Sequence, residues 1–350
     1  MEIALLTIWH EGNFGAELQT YATVRMLRSL GHDVRVVDIR LSDARRRSLR
    51  GKIGGFLTWF GPACRSMRKF WRTHIPTTRR YRSIAELRAC PPRGDVYMVG
   101  SDQVWNPEIT RALSPVFFLD FGAETVRRVS YASSFGSDRW TAGNTEAVRR
   151  LLGRFSSLSC RETSGVALLH DVFGLQAQNV LDPTLLFNSY SELTGPLSEK
   201  PTLVYYPLGS FPELGTYAQG LARRLGLEAL NANWHTCIYG TAVWNRNSIA
   251  HWVRDIAQAA FVVTPSFHGV AMCLLHHRQF AVIITQGRRA TRITGLLALL
   301  GITGRVFTSF DEIDKAQPWL QAIDYAAVDA RLAALRAQSV DYLKKALATQ

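Results

Sequence analysis

Short apolar runs alternate with helical stretches from the first residues of the chain onward. Glu2 to Ile8 is almost wholly apolar, and after a polar turn the apolar residues recur with helical spacing as far as Gly31. Val34 to Ile39 is the next apolar run. Strand, helix and strand in this order predict a β-α-β unit, the element from which a parallel doubly wound sheet is built.

This alternation continues along the chain and restarts once. Further buried strands are predicted at 96–99, 128–132, 156–160 and 179–181. After a polar connector a second series begins, with strands predicted at 202–206, 261–264 and 280–284. The pattern predicts an α/β protein with two Rossmann-like domains facing a cleft, where ligands bind at the carboxyl ends of the strands.

The predicted domain boundaries follow from these two series. The first domain covers residues 1–187, the second covers 188–325, and residues 326–350 contain a closing helix. Apolar side chains such as Leu332 and Tyr342 lie on one predicted face of that helix, and Ser339 interrupts the stripe.

The composition is typical of a cytoplasmic globular protein. No stretch reaches the roughly 18 uninterrupted apolar residues that a membrane span needs, and the first residues lack the basic start of a signal peptide. The five cysteines include no Cys-x-x-Cys pair, so neither a disulfide framework nor a zinc knuckle is indicated. No His/Asp/Glu cluster has metal-ligand spacing, so we expect no metal and no cofactor.

Positive charge is concentrated in one segment of the predicted first domain. Residues 45–82 carry twelve Lys or Arg and no acidic residue, in a chain whose net charge is +13. Aromatic residues such as Trp59 and Trp71 lie among these cations. This mixture suits an anionic membrane surface or a phosphorylated substrate, but also a solvated helix that packs its aromatics inward. Nucleic acid is not expected, because no motif of a nucleic-acid-binding fold accompanies the charge.

Polar motifs follow the predicted strands. Asn13, Gly15 and Gln19 lie where the first helix opens, a position that can hold an anion or sugar hydroxyls or form only a turn with a helix cap. Ser101, Asp102 and Gln103 follow the strand at 96–99, where a carboxylate can orient or deprotonate a hydroxyl, or cap the next turn.

Cations and a histidine follow three other strands. Arg161, after the strand at 156–160, suits a carboxylate or phosphate, with an ion pair to Glu162 as the alternative. The sequence Ser266-Phe267-His268-Gly269 places an imidazole at a helix start, where phosphate binds well. Arg288 and Arg292 could clamp the same phosphate or belong to a solvated helix start.

Six motifs in this order resemble the polysaccharide pyruvyl transferase family. They are Asn13-Phe14-Gly15-Ala16 with Leu18-Gln19, Gly100-Ser101-Asp102-Gln103-Val104-Trp105-Asn106, Tyr131-Ala132-Ser133-Ser134-Phe135-Gly136, Ser159-Cys160-Arg161-Glu162, Leu181-Asp182-Pro183-Thr184-Leu185 and Ser266-Phe267-His268-Gly269. The resemblance spans most of the chain. It implies a fold like that of two-domain glycosyltransferases, with phosphoenolpyruvate as donor and a pyruvate ketal formed on two hydroxyls of one sugar. The acceptor would be a cell-surface polysaccharide or its lipid-linked precursor, and phosphate would be released.

The resemblance also implies roles for individual residues. The first domain becomes the acceptor side and the second the donor side, with donor contacts at Arg161 and at the triplet from Ser266 to His268. We predict that His268 is the general acid or base, that Arg161 and Arg292 hold the donor, and that Asp102 orients the acceptor. Ser266 stands where some members carry Arg, and we expect Arg292 or Arg288 to replace that cation.

Two other hypotheses remain open from the residues. A nucleotide-sugar-dependent glycosyltransferase would use the same fold, which does not decide the reaction. A basic surface-binding protein without activity is the third hypothesis, supported by the missing cation at Ser266. Peripheral association with the inner face of the membrane, through residues 45–82, is compatible with each of them.

Overall fold

The computed structural model describes residues 1–10, 13–40, 62–208, 211–232, 248–284 and 290–348. These residues form two compact units. The first unit lies within Met1–Gly55, Lys69–Phe187 and Ala334–Gln350, and the second within Phe56–Arg68 and Asn188–Ala333. Each unit contains a parallel sheet of its own.

The first unit is built on five parallel strands. They are β1 (Glu2–Leu6), β2 (Asp33–Ile39), β3 (Thr77–Tyr81), β4 (Val96–Val99) and β5 (Arg127–Ser130). Their order in the sheet is β3-β2-β1-β4-β5, which is the Rossmann arrangement. A small parallel pair, β6 (Ser159–Cys160) and β7 (Gln178–Asn179), lies beyond β5, to which single bridges connect it. The helices are α1 (Phe14–Ser29), α2 (Pro62–His74), α3 (Ile84–Ala89), α4 (Pro107–Thr110), α5 (Ser114–Phe117), α6 (Thr145–Leu152), α7 (Thr163–Asp171) and α8 (Pro183–Leu186), and α2 begins in residues of the second unit.

The centre of this sheet is set by apolar residues on both of its faces. In β1 the side chains from Ile3 to Leu6 are all buried, as a parallel strand covered by helices on both sides requires. Leu6 pairs with Val99, so β1 and β4 end at the same level. The loops that follow the two strands therefore emerge side by side.

The second unit repeats the architecture with a different strand order. Its strands are β8 (Lys200–Tyr205), β9 (Glu228–Asn231), β10 (Ala259–Thr264), β11 (Gln279–Ile283) and β12 (Val306–Phe307). From one edge the order is β9-β8-β10-β11-β12, the flavodoxin-like arrangement, with β10 at the centre. The helices are α9 (Ser191–Thr194), α10 (Pro212–Leu225), α11 (Ile249–Gln258), α12 (Phe267–Leu275), α13 (Ala290–Leu299) and α14 (Phe310–Ala316).

The last helix, α15 (Tyr325–Leu347), closes the chain. It begins one residue before the range 326–350 that was predicted to contain it, and its residues from Ala334 onward belong to the first unit. The predicted stripe is buried at Leu332 and Tyr342, and Ser339 is buried with it. No helix in the described part of the chain is long and apolar enough to cross a membrane.

The predicted α/β class with parallel sheets is confirmed. The apolar pattern predicts the central strands but not β3, β9 or β12, which are all edge strands. Edge strands have one neighbour only and carry more polar residues; β3, for example, exposes Arg79 and Arg80. The weaker apolar signal of these strands explains the omission.

Candidate functional site

Three strand ends of the first unit converge on one place. Beyond β4 and β5 the chain continues to Asp102 and Ser133, and parallel bridges join Asp102 to Ser133 and Ser133 to Cys160, the last residue of β6. These bridges continue the sheet past the ends of β4 and β5. They bring the predicted residues Ser101, Asp102 and Arg161 together.

Arg161 is the centre of this arrangement, and its side chain is completely buried. Its Nη1 donates to Asp182 Oδ2 at 2.7 Å, its Nη2 to Asp102 Oδ1 at 3.2 Å, and its Nε to Glu162 Oε1 at 3.3 Å. We call these four residues the Arg161 cluster. Burial alone would lower the pKa of Arg161, but the carboxylates of Asp182, Glu162 and Asp102 together raise it above its ordinary value.

Asp182 is held on both of its oxygens. Oδ2 accepts from Arg161 and, at 2.8 Å, from the Ser101 hydroxyl. Oδ1 accepts from the Thr184 amide at 3.0 Å and from the Thr184 hydroxyl at 2.6 Å, which caps α8. With its side chain fully buried and both oxygens bonded, Asp182 is a fixed counter-ion for Arg161.

Asp102 is the carboxylate of the cluster that solvent reaches most. Its side chain is 16% exposed, against 7% for Glu162 and 0% for Asp182. Its backbone φ is +74°, in the left-handed region that non-glycine residues seldom adopt. Such conformations persist where the surrounding structure enforces them, and they concentrate at functional sites.

A second network fixes the loop after β5 against the loop after β4. The Ser134 hydroxyl donates to Glu162 at 2.5 Å and accepts from the Gly136 amide at 3.0 Å. Gly136 has a φ of +68°, and a Cβ on it would lie 2.1 Å from the Gln103 side-chain oxygen. Asn106 donates to that same oxygen at 2.8 Å. The side chain of the predicted residue Gln103 therefore lies directly against Gly136, and any other residue at position 136 would force it to move.

The residues predicted at the start of α1 bond to partners outside the Arg161 cluster. Asn13 caps the helix, accepting from the Gly15 and Ala16 amides. Gln19 is fully buried and donates to the Thr7 hydroxyl at 2.9 Å, and Thr7 donates in turn to the Ser101 carbonyl at 2.9 Å. Gln19 thus supports the Ser101 loop from inside the protein.

In the second unit the loop after β10 leads directly into α12. Thr264 accepts from the Ser266 amide at 3.0 Å, and the Ser266 hydroxyl caps the helix by accepting from the Gly269 amide at 3.2 Å. A Cβ on Gly269 would lie 3.1 Å from Thr264, so the glycine allows the helix to begin against the strand end. Phe267 and His268 form the first turn and are 7% and 8% exposed.

The sequence matches the family model of the polysaccharide pyruvyl transferases over residues 13–287. The chain belongs to this family. The matched range contains every one of the six strand-end motifs, from Asn13 to Gly269. No curated protein sequence matches the chain at a significant level.

Solved structures match this pyruvyl transferase family member over nearly its whole length. The UDP-GlcNAc 2-epimerase from Neisseria meningitidis, bound to UDP-GlcNAc, has a TM-score of 0.54 at 9% identity, covering 99% of this chain and 100% of its own. The glycotransferase of kitacinnamycin has a TM-score of 0.43 at 15% identity, covering 99% of both chains. The spinosyn rhamnosyltransferase SpnG with thymidine diphosphate has a TM-score of 0.44 at 13% identity, covering 99% of this chain and 96% of its own. At these identities the likeness concerns the fold alone, and the predicted GT-B-like class is confirmed by the first of them.

The structure describes some of the remaining predicted cations of this family member and not others. Arg292 lies in the first turn of α13 and is partly buried, whereas Arg288 and residues 45–61 lie outside the described residues. In α2, Arg65, Lys69 and Arg72 are exposed.

The aromatic residues of α2 face the other way. Phe70 is buried against Tyr21, and the Trp71 ring nitrogen donates to the buried Glu17 at 2.6 Å. In this part of the basic segment the aromatics pack inward and the cations face solvent.

The alternative given for Arg161, an ion pair with Glu162, is present in the structure at 3.3 Å. Sequence reasoning missed the other buried partner, Asp182, although it lies in a motif that the family shares and follows a short strand, which is the signal that could have identified it. Among the described residues, those of the Arg161 cluster included, no group of three His, Cys, Asp or Glu is arranged to hold a metal ion.

Proposed function

We propose that this protein transfers a pyruvyl group from phosphoenolpyruvate to a sugar of a cell-surface polysaccharide or of its lipid-linked precursor, forming a pyruvate ketal and releasing phosphate. Membership of the family supports this assignment. The observation that carries it is the Asp102 carboxylate, held by Arg161 in an enforced backbone conformation and partly open to solvent.

In the proposed reaction the first unit handles the acceptor. Asp102 accepts a hydrogen bond from a sugar hydroxyl and takes up its proton as the oxygen attacks. Arg161 keeps the carboxylate oriented, because its guanidinium is locked by Asp182 and Glu162. In the cluster three carboxylates surround one guanidinium, so the local field is negative. Such a field favours a neutral hydroxyl over an anionic ligand such as the donor. This arrangement favours a holding role for Arg161 over a direct contact with the donor.

In the same scheme the second unit handles the donor. The N-terminus of α12 and Arg292 bind the phosphate and the carboxylate of phosphoenolpyruvate. His268 donates a proton to the methylene carbon, which becomes the methyl group, and C2 becomes electrophilic. The first hydroxyl adds to C2 as Asp102 takes its proton, and the C–O bond to phosphate breaks with its electrons on the phosphate, which accepts that proton from Asp102. The second hydroxyl then closes the ketal and its proton passes to His268, which restores the acid. No cofactor is required for this sequence, since proton transfer and phosphate departure balance it.

A thermal shift measurement tests the donor. A ligand that binds only the folded protein stabilises it by about 2.7 kcal/mol at 100 times its dissociation constant, so phosphoenolpyruvate should raise Tm. Inorganic phosphate should raise Tm less, and nucleotide diphosphate sugars should have little effect. Arg292→Gln should remove most of the rise, whereas Arg223→Gln, an exposed arginine of α10, should retain it.

The opposite result would change the assignment. If a nucleotide diphosphate sugar stabilised the protein and phosphoenolpyruvate did not, the glycosyltransferase hypothesis would replace this proposal. A pyruvyl ketal on the sugar, detected by mass spectrometry together with released phosphate, would be the direct evidence for the reaction.

A lipid-linked acceptor would bring the protein to an anionic membrane surface, and we propose that α2 contributes to this contact. Its exposed cations are placed for electrostatic attraction worth about 1 kcal/mol each. Changing Arg65, Lys69 and Arg72 to Gln should weaken sedimentation with phosphatidylserine vesicles and spare activity on a soluble sugar. The control changes three exposed cations of other helices: Arg223, Lys344 and Lys345. Equal binding by both triple variants would exclude α2 from the contact.

A further inference from the structure

The main chain beside Asp182 is anchored by the C-terminal helix. The hydroxyl of Ser339, on α15, accepts from the Leu181 amide at 2.9 Å and donates to the Leu335 carbonyl at 2.7 Å. Ser339 is 1% exposed, and it lies in the first-unit part of the helix. A single buried hydroxyl therefore connects α15 to the residue that precedes Asp182.

Ser339 is a polar residue within the buried apolar stripe of α15, so its presence there needs a structural reason. Leu332, Tyr342 and Leu343 on the same helix are buried, and a further apolar residue between them would suit the helix as well. A buried hydroxyl is costly unless it is bonded, and Ser339 uses both its donor and an acceptor lone pair. Strand β7 ends at Asn179, so the Leu181 amide lies beyond its ladder and needs a partner of another kind.

Leu181 is held at both its main-chain amide and its main-chain carbonyl. The Tyr131 hydroxyl donates to the Leu181 carbonyl at 2.9 Å while Ser339 accepts from its amide. Asp182 follows directly, caps α8 with one oxygen and binds Arg161 with the other. Arg161 in turn contacts Asp102. Three hydrogen-bonded steps thus lead from Ser339 to the most exposed carboxylate of the cluster.

We propose that Ser339 is a positioning residue for Asp102, acting through Leu181, Asp182 and Arg161. The inference rests on the proposed function for its catalytic consequence, though not for the physical connection. Loss of the hydroxyl leaves the buried Leu181 amide without its partner, and the segment that carries Asp182 gains freedom. Arg161 and Asp102 then lose their fixed orientation, which lowers kcat and affects the KM for phosphoenolpyruvate little, because the donor binds elsewhere.

The test compares Ser339→Ala with Tyr342→Phe. Tyr342 is one helical turn further along, is 6% exposed and donates to the Ser130 carbonyl at 2.7 Å. That carbonyl keeps a second bond from Ser159, so Tyr342→Phe removes one buried bond of the same helix without leaving its partner unsatisfied. Ser339→Thr retains the hydroxyl and should behave as the wild type, and it remains informative if the alanine variant fails to fold.

Two readouts are measured on the whole protein. Hydrogen–deuterium exchange should rise in Ser339→Ala for the segments 181–186 and 101–106, and in Tyr342→Phe for neither. The kcat of Ser339→Ala should fall about tenfold with the KM for phosphoenolpyruvate within twofold, and Ser339→Ala added to Asp182→Asn should lower kcat no further, because both act on the same connection.

Each outcome is decisive. Faster exchange confined to α15 would overturn the connection, and faster exchange at 101–106 with unchanged kcat would overturn the positioning role. Additive losses in the double variant would show that Ser339 acts by another route. If the wild type transfers no pyruvyl group from phosphoenolpyruvate, the proposed function fails by itself, while the exchange comparison still decides whether Ser339 holds the cluster.

Discussion

The two strand-end regions of this protein hold polar groups in different ways. In the first unit, Arg161 is buried among three carboxylates, so the charges fix one another in a rigid arrangement. In the second unit, the loop from Thr264 to Gly269 contains no Asp, Glu, Lys or Arg. The Ser266 hydroxyl caps α12, and the Thr264 hydroxyl accepts from the Ser266 amide. The first region suits the orientation of a neutral hydroxyl, and the second suits an anion at a helix N-terminus.

Arg128 shows that a buried arginine in this fold does not need carboxylates. It is 1% exposed and donates to main-chain carbonyls, among them those of Val126 at 2.8 Å and Phe121 at 3.0 Å. Its pKa is lowered, chiefly by burial and by Arg154. Main-chain carbonyls are therefore sufficient to satisfy the hydrogen bonds of a buried arginine in this fold. The three carboxylates around Arg161 need another explanation, and the proposed reaction provides one.

The largest effect is expected in the second region. His268→Ala should lower turnover by about two to four orders of magnitude, the scale of general acid–base catalysis, with little change in Tm. His277→Ala removes an exposed histidine that pairs with Asp329 and should keep wild-type turnover. Steady-state kinetics with phosphoenolpyruvate and a glycoside that the wild type accepts compares the two. Equal rates would remove His268 from the mechanism.

In the first region, Asp102→Asn should lower kcat about a hundredfold, because an amide cannot take up the hydroxyl proton. Asn tolerates the left-handed conformation that Asp102 adopts, so the fold should be retained. Asp120→Asn, at an exposed carboxylate paired with Arg88, is the matched control and should be silent. Wild-type kcat in the Asp102 variant would assign the proton transfer to another group and weaken the contrast between the two regions.

A smaller effect is expected at the loop that supports Asp102. Gly136→Ala places a Cβ against Gln103 and strains a left-handed backbone, so we expect a loss of about 1–3 kcal/mol in the free energy of unfolding and about tenfold in kcat. Gly143→Ala, at a glycine with open space around it and no positive φ, should change neither. Urea unfolding and kinetics measure both variants. If Gly136→Ala had the same unfolding free energy and kcat as Gly143→Ala, the loop would be shown to adapt without disturbing the site.

The central architecture could be predicted from the sequence because it depends on local pattern. Buried strands such as β1 and β4 are continuous apolar runs, and the polar motifs directly after them mark the strand ends. Edge strands lack that signal. The same logic predicts that Ser101, Asp102 and Arg161 lie at strand ends, where the structure brings them into contact.

The pairing of Arg161 with a residue distant in the sequence could not be predicted in this way. Asp182 lies 21 residues after Arg161, and nothing in that spacing indicates a salt bridge of 2.7 Å. Gln19 illustrates the converse: an amide at a helix start suggests ligand binding, but the turn of the helix directs it inward to Thr7. Contacts that depend on tertiary packing are absent from local sequence pattern, and for this reason the roles of Arg161 and Gln19 toward a ligand stay predictions.

The smallest expected effect compares the two units by pH. Burial, and then Arg40, lowers the pKa of His10 to about 4 in the first unit, and burial, and then Arg278, lowers that of His276 to about 4 in the second. In the unfolded chain both histidines titrate near 6.5, so between pH 6.5 and 4 the unfolded state binds more protons and acidification lowers stability. His10→Asn and His276→Asn should each flatten the fall of Tm over this window by a few degrees and leave its slope above pH 7 unchanged. Because each variant affects one unit, calorimetry would show whether the two units unfold together. A single transition whose Tm depends less on pH would indicate that they unfold as one cooperative unit. Two transitions, only one of which changes its pH dependence, would indicate independent unfolding. An unchanged pH slope in both variants would contradict the assignment of neutral, buried histidines.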